Sequence, residues 1–120
     1  MVISMKHYMK LKPDPFNKIR SGVKTIELRL LDEKRKLVKI GDEIEFTNLE
    51  NHDEKIDVRV LAIHKFESFV ELYKTLPLDK CGYLKSVLSI ANPADMEKYY
   101  SKEEQSRYGV IGIEFELCNK

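Results

Sequence analysis

Lys24, Glu27 and Arg29 lie within the run Ser21-Gly22-Val23-Lys24-Thr25-Ile26-Glu27-Leu28-Arg29. From residue 25 to residue 31 the polarity alternates. Ile26, Leu28 and Leu30 take one face of a strand, and Thr25, Glu27 and Arg29 take the other, each about 7 Å from the next. Gly22 ends a preceding helix, in a left-handed conformation that no other residue adopts so cheaply. Lys24 follows at the helix–strand junction, on a stem long enough to swing towards the polar face. With the apolar face in the core, an acid and a base are left on the other face and a lysine at its mouth. Arginine can grip a phosphate or a base edge bidentately, and glutamate can orient the arginine or accept from an amino group. The same spacing also fits an ion pair on a solvated face. If the groups form a site, they converge on one concave pocket with at least one partly exposed. Arg29→Ala should then weaken binding, with little loss of stability if the group is solvated.

The elements that must hold this strand can be read along the chain. Residues 2–11 form a first strand. Asp14 and Pro15 suit the cap and first turn of a helix, with Phe16 and Ile19 on its apolar face. A charged stretch, 32–36, follows the signature strand, and Gly41-Asp42 turns into a strand over 43–47. Residues 48–54 are polar and loop-like. Residues 55–65 form a longer strand, with Ile56, Val58, Val60 and Ala62 at alternate positions. Ser68, three residues before Glu71, is a capping-box signature; Phe69, Leu72, Tyr73 and Leu76 follow at helical spacing until Pro77. Three short helices come next, over 84–90, from Asn92-Pro93, and from Ser101 to a stop at Gly109. The last strand, 109–117, places Ile111, Ile113, Phe115 and Leu117 on one face. The expected core is Phe16, Ile26, Leu28, Leu30, Val58, Val60, Ile111, Ile113 and Phe115. The order β-α-β-β-β-α-α-β has too few crossover helices for a doubly wound parallel sheet. A mixed α+β fold, a small mostly antiparallel barrel with flanking helices, is the simplest closure.

The chain has 120 residues, enough for one domain over 1–120 that buries a core without a disulfide or metal. No apolar run approaches the ~18–20 residues of a membrane span, and residues 1–10 carry no signal-peptide core, so a cytoplasmic location is expected. The formal net charge of +1 excludes a protein that binds nucleic acid by bulk positive charge. The charge is uneven, however. Between Lys6 and Lys39 there are eleven Lys and Arg against four acids. That asymmetry points to an anionic partner or to a solvated basic face.

Other candidate groups carry less. His7, His52 and His64 lack metal-site spacing, and Cys81 and Cys118 form no ligand pattern. No metal or cofactor is expected, and the two thiols are expected to be unbonded to each other. No Gly-rich phosphate loop occurs. Tyr99, Tyr100 and Tyr108 lie near Arg107. They could stack on a base or pack helices onto the barrel, and Tyr108 could face the same cleft as the signature strand.

The run Gly22-x-Lys24-Thr25-x-Glu27-x-Arg29 resembles the signature of the ASCH family. Residues 32–46 resemble the segment after that signature, and Tyr100-Ser101-x-Glu103-Glu104-Gln105-x-x-Tyr108-Gly109-Val110-Ile111-Gly112-Ile113 resembles the family's closing helix and strand. The resemblance spans residues 5–117. It implies a PUA-like barrel with a cleft beside the first helix, lined by the signature lysine, glutamate and arginine. It also implies RNA binding in general, with some members being enzymes. One is an amidohydrolase acting on N4-acetylcytidine, in which the lysine activates a threonine nucleophile; another kind is a ribonuclease. Lys24 matches that lysine, but Glu27 stands where the nucleophile would be, and Thr25 should point differently. A carboxylate there is no hydroxyl nucleophile and holds its lysine neighbour charged.

The leading expectation is therefore an RNA- or nucleotide-binding domain. Lys24 and Arg29 would contact phosphate or a base edge, and Glu27 would position Arg29 or accept from the ligand. Thr25 and Tyr108 would join the site, and Lys12, Lys34 and Arg35 would form a basic rim. The alternative is a hydrolase of a modified nucleoside or single-stranded RNA, with Lys24 and Glu27 catalytic. A protein-interaction module is a third class. Oligomeric state is not legible in the sequence.

Overall fold

A computed structural model describes residues 3–118. Residues 1–2 and 119–120 lie outside the described residues, and with them the start of the strand expected over 2–11 and the ends of the domain expected over 1–120. The elements run β1 (Lys6–Leu11), α1 (Pro13–Arg20), β2 (Ile26–Leu30), β3 (Glu43–Asn48), β4 (Asn51–Phe66), α2 (Phe69–Thr75), α3 (Lys102–Tyr108) and β5 (Val110–Leu117). Short 3-10 turns cover Arg35–Leu37, Lys85–Ile90 and Pro93–Lys98. The fold is mixed α+β. One five-stranded sheet, in the order β1-β3-β4-β5-β2, curls into a half-barrel. The β1–β3 pair is parallel and the other three are antiparallel.

Several local expectations change. The polar stretch expected as a loop over 48–54 is largely strand, because Asn48 pairs Asn51 in a tight hairpin and β4 starts there. Helix α1 is capped from Lys12, with Pro13 in its first turn, and Asp14 instead pairs with Lys18 at 2.9 Å. Ser68 precedes α2 but makes no side-chain cap bond. The capping boxes that do form are Asn92 with Asp95 and Ser101 with Glu104.

The hydrophobic residues divide between two faces of the sheet. Inside the half-barrel, Phe16 and Ile19 of α1 pack on Ile44, Phe46, Val58, Val60, Ile111, Ile113 and Phe115. On the other face, Ile26, Leu28 and Leu30 pack with Phe69, Leu72 and Leu76 of the α2 region. Every residue of the expected core is buried, but in two clusters rather than one. In β4 the register shifts between Val60 and Ala62, leaving Leu61 as an extra residue. Such a bulge bends the strand and reverses its alternation. Ile63, rather than the expected Ala62, thus pairs with Ile113 and packs on the barrel core.

The ends of the sheet, β1 and β2, are not paired as strands, so the expected barrel is open along this seam. The carbonyls of Met5 and Leu11 accept from Glu43 and Leu49 on the β3 side. By alternation, those of Tyr8 and Lys10 face the free edge. Lys34 Nζ donates to the Tyr8 carbonyl and Arg29 Nη2 to the Lys10 carbonyl, each at 2.9 Å. Two cations thereby occupy acceptors that an exposed sheet edge would leave open.

Gly112 sits where β5 meets the second core. A Cβ there would come within 2.6 Å of Leu76 Cδ1 and 3.5 Å of Ile26 Cγ2. Gly112→Ala should lower stability by about 1–3 kcal/mol through overpacking, read as a lower urea midpoint. An unchanged midpoint would show that this layer has slack.

Candidate functional site

The half-barrel is open beside β2, and its polar triad lies there. Glu27 pairs with Ile113 and Arg29 with Ile111, so both project towards the inside of the half-barrel, beside its core. This corrects the expectation that they lie on a non-core face: β2 is covered on both sides. Glu27 is 3% exposed and Lys24 8%. Lys24 Nζ meets Glu27 Oε1 at 2.8 Å, and Arg29 Nε meets Glu27 Oε2 at 2.7 Å. Each carboxylate oxygen thus has its own cation. Burial works to raise the Glu27 carboxyl, but the charges of Lys24 and Arg29 override it and hold it at about 2. Arg29, with a side chain 15% exposed, also donates to the Lys10 carbonyl. It is therefore a structural tie as well as a candidate contact, and the condition under which its loss would cost little stability, a solvated group, is not met.

A cleft of about 530 Å³ opens over this triad. Its floor is β2. One wall is the β1–α1 corner, with Lys10, Lys12 and Lys18; the other carries Tyr73 of α2, Tyr83, then Asp95, Met96 and Lys98 of the last 3-10 turn and Tyr99 and Tyr100 just after it. Six cations line it against three carboxylates: Lys10, Lys12, Lys18, Lys24, Arg29 and Lys98 against Asp14, Glu27 and Asp95. Lys18 is tied to Asp14 and to the Gly82 carbonyl. Among the described residues, Lys10, Lys12 and Lys98 have no ion pair. Tyr99 is 55% exposed, with Lys12 Nζ 5.7 Å from its ring centre. Cys81 also lines the cleft, but burial pushes its thiol up to about 12, which removes it as a ready nucleophile.

The structure brings together Lys12, Lys24, Glu27 and Arg29 in the cleft wall. It places four other candidates elsewhere. Thr25 is occupied by backbone bonds to Lys80 and Phe115 and does not line the cleft. Lys34 is spent on the β1 edge, and Arg35 turns to Asp32 at 3.1 Å. Tyr108 lines a separate depression with Phe66 and Arg107. Sequence reasoning missed Tyr73, Tyr83 and Asp95. Helical spacing accounted for Tyr73, Tyr83 and Asp95 carried no pattern of their own, and only the fold brings residue 73 beside residues 83 and 95.

Acid should act through Glu27. Its folded pKa lies below the ordinary carboxylate value, so its contribution is complete above about pH 4.5 and lost as pH falls towards 2. Glu27→Gln at neutral pH should lower stability by about 3–5 kcal/mol, since two enclosed cations lose their counter-charge. The variant should also lose less stability than the parent between pH 5 and pH 3. Urea midpoints at both pH values measure this; equal acid sensitivity in the two proteins would contradict it.

Comparison with known proteins agrees with the fold. The ASCH domain family model matches residues 9–119. No curated protein matches the chain. The solution structure of the protein PF0455 from Pyrococcus furiosus is 33% identical, covers 97% of this chain and 100% of its own, and superposes with a TM-score of 0.71. The crystal structure of a hypothetical protein, PH0355, is 29% identical over 95% of this chain and 100% of its own, with a TM-score of 0.78. The ASCH protein of Zymomonas mobilis shares the fold at 16% identity, covering 95% of this chain and 67% of its own, with a TM-score of 0.65. By the match along nearly its whole length, the chain belongs to the ASCH domain family.

Proposed function

We propose that the cleft binds single-stranded RNA or a nucleotide, with recognition rather than hydrolysis as its task. The observation that carries this reading is the excess of cations around an aromatic-walled cleft in a protein of almost no net charge. Lys10, Lys12 and Lys98 are exposed and would meet phosphates. Tyr99 would offer its ring to a base, as aromatic platforms do for single strands. Arg29 has Nε on Glu27 and Nη2 on the Lys10 carbonyl; its remaining nitrogen would reach a phosphate or a base edge. Glu27 fixes the fork of Arg29 and the ammonium of Lys24 before any ligand arrives, which limits the ordering required on binding. The general association of ASCH domains with RNA agrees with this reading.

The hydrolase alternative has less support. Both oxygens of Glu27 are engaged by cations, Thr25 is away from the cleft, and the Cys81 thiol is held protonated by burial. These features leave the site without a free nucleophile beside Lys24.

Binding should therefore be electrostatic in origin and weaken steeply with salt. In an anisotropy titration with a short single-stranded RNA, Lys12→Ala and Lys98→Ala should each flatten the salt slope by about one unit. Tyr99→Ala should weaken binding by about 1–3 kcal/mol. Absence of binding at low salt, or binding indifferent to salt, would overturn the proposal. Turnover of N4-acylated nucleosides that is lost in Lys24→Ala would restore the hydrolase reading.

A further inference from the structure

On the cleft wall that carries Tyr73 and Tyr83, three groups form a chain of hydrogen bonds. Tyr83 OH lies 2.8 Å from Asp95 Oδ2, and Tyr73 OH lies 2.7 Å from Tyr83 OH. The three come from different elements: α2, the turn after it, and the Pro93–Lys98 turn. Asp95 is held in place by its capping box with Asn92, whose backbone N–H also donates to Oδ2. The hydrogen bonds from Tyr83 and from the Asn92 backbone keep its carboxyl below the usual range.

The direction of this chain follows from the chemistry of its end. An ionised carboxylate can only accept. Tyr83 must therefore give its single proton to Asp95, and its oxygen must accept from Tyr73. Tyr73 has then spent its proton as well. Its oxygen retains a lone pair but has nothing left to donate. Both phenols stay protonated, since burial raises Tyr73 and Tyr83 above the ordinary tyrosine value. Tyr73 is half-buried in the cleft wall, while the floor carries the donors of Arg29, on β2, and of Lys24, just before it. The cleft is thus polar in direction, with donors below and an acceptor on the Tyr73 wall.

We infer that Tyr73, oriented through Tyr83 by Asp95, selects ligands that present an N–H donor, such as the exocyclic amino group of cytosine or adenine, over bases that present a carbonyl there. This rests on the proposed nucleotide-binding reading. Tyr73 would touch the ligand; Tyr83 and Asp95 would be positioning residues. A carbonyl brought to the same place would face a lone pair with no proton between them, leaving both acceptors unpaired.

The test compares affinities for oligocytidylate and oligouridylate of equal length at neutral pH and fixed salt. These probes share a phosphate backbone and differ in the 4-amino or 4-oxo group and the adjacent ring nitrogen. The native protein should prefer oligocytidylate by about tenfold or more. Tyr73→Phe keeps the ring against Phe69 and should reduce the ratio to about one, chiefly by weakening oligocytidylate. Asp95→Asn, whose amide can donate to Tyr83 and reverse the chain, should also erode the preference while both oligomers still bind. Equal affinity of the native protein for both oligomers would overturn the inference and leave the binding reading intact. A preference that survives Tyr73→Phe would overturn the role of the tyrosine chain. If neither oligomer binds at low salt, the binding reading fails and the inference falls with it.

Discussion

A single carboxylate, Glu27, holds the site side of this protein together. It lies almost out of contact with water, where an unpaired charge would be prohibitive, and it is tolerated because each oxygen meets a cation under 3 Å away. Those cations come from different places. Lys24 belongs to the junction between α1 and β2, and its stem runs beside Gly82, where a Cβ would lie 3.4 Å from Lys24 Cδ. Arg29 reaches across the open seam to the free edge of β1. The ion triad thus joins the first helix, the edge of the sheet and the turn at residue 82 around one cleft.

The same arrangement limits what the cleft can do. A lysine beside a free hydroxyl could serve a hydrolytic reaction, but Lys24 is bound to Glu27. The signature is rigid, charged and already bonded, which suits recognition better than proton transfer. The groups left uncommitted lie further out: Lys10, Lys12 and Lys98 on the rim, the exposed ring of Tyr99, and the acceptor of Tyr73. The proposed nucleotide ligand, with its phosphate, base ring and an amino group, would satisfy all of them.

Much of this was legible in the sequence, for a physical reason in each case. Alternation in residues 25–31 and 109–117 gave the strands and their faces because the period of two is strict. The Lys24, Glu27 and Arg29 constellation was visible because charges at that spacing on a strand must be paired or used. What alternation cannot express is how many faces of a strand are covered. Glu27 therefore read as lying on a non-core face although it is enclosed. The bulge at Leu61 was also hidden, since it reverses the faces without any change in composition. Lys34 and Arg35 read as a basic rim, because a sequence does not show which carbonyl a sheet edge leaves open. The tyrosine chain was missed for a related reason: Tyr73 read as an ordinary helix-face residue, Tyr83 and Asp95 stood out in no local pattern, and only the tertiary contact makes them a unit.

The central claim is that this cleft, and no other surface, receives the nucleic-acid ligand. Mapping amide chemical-shift changes on isotopically labelled protein during titration with a short single-stranded RNA tests it directly. The account predicts salt-sensitive shifts clustered at Lys12, Lys24, Gly82 and Tyr99, with little change around Arg107 and Tyr108 on the separate depression. Shifts centred on that depression, or no shifts at low salt, would contradict it.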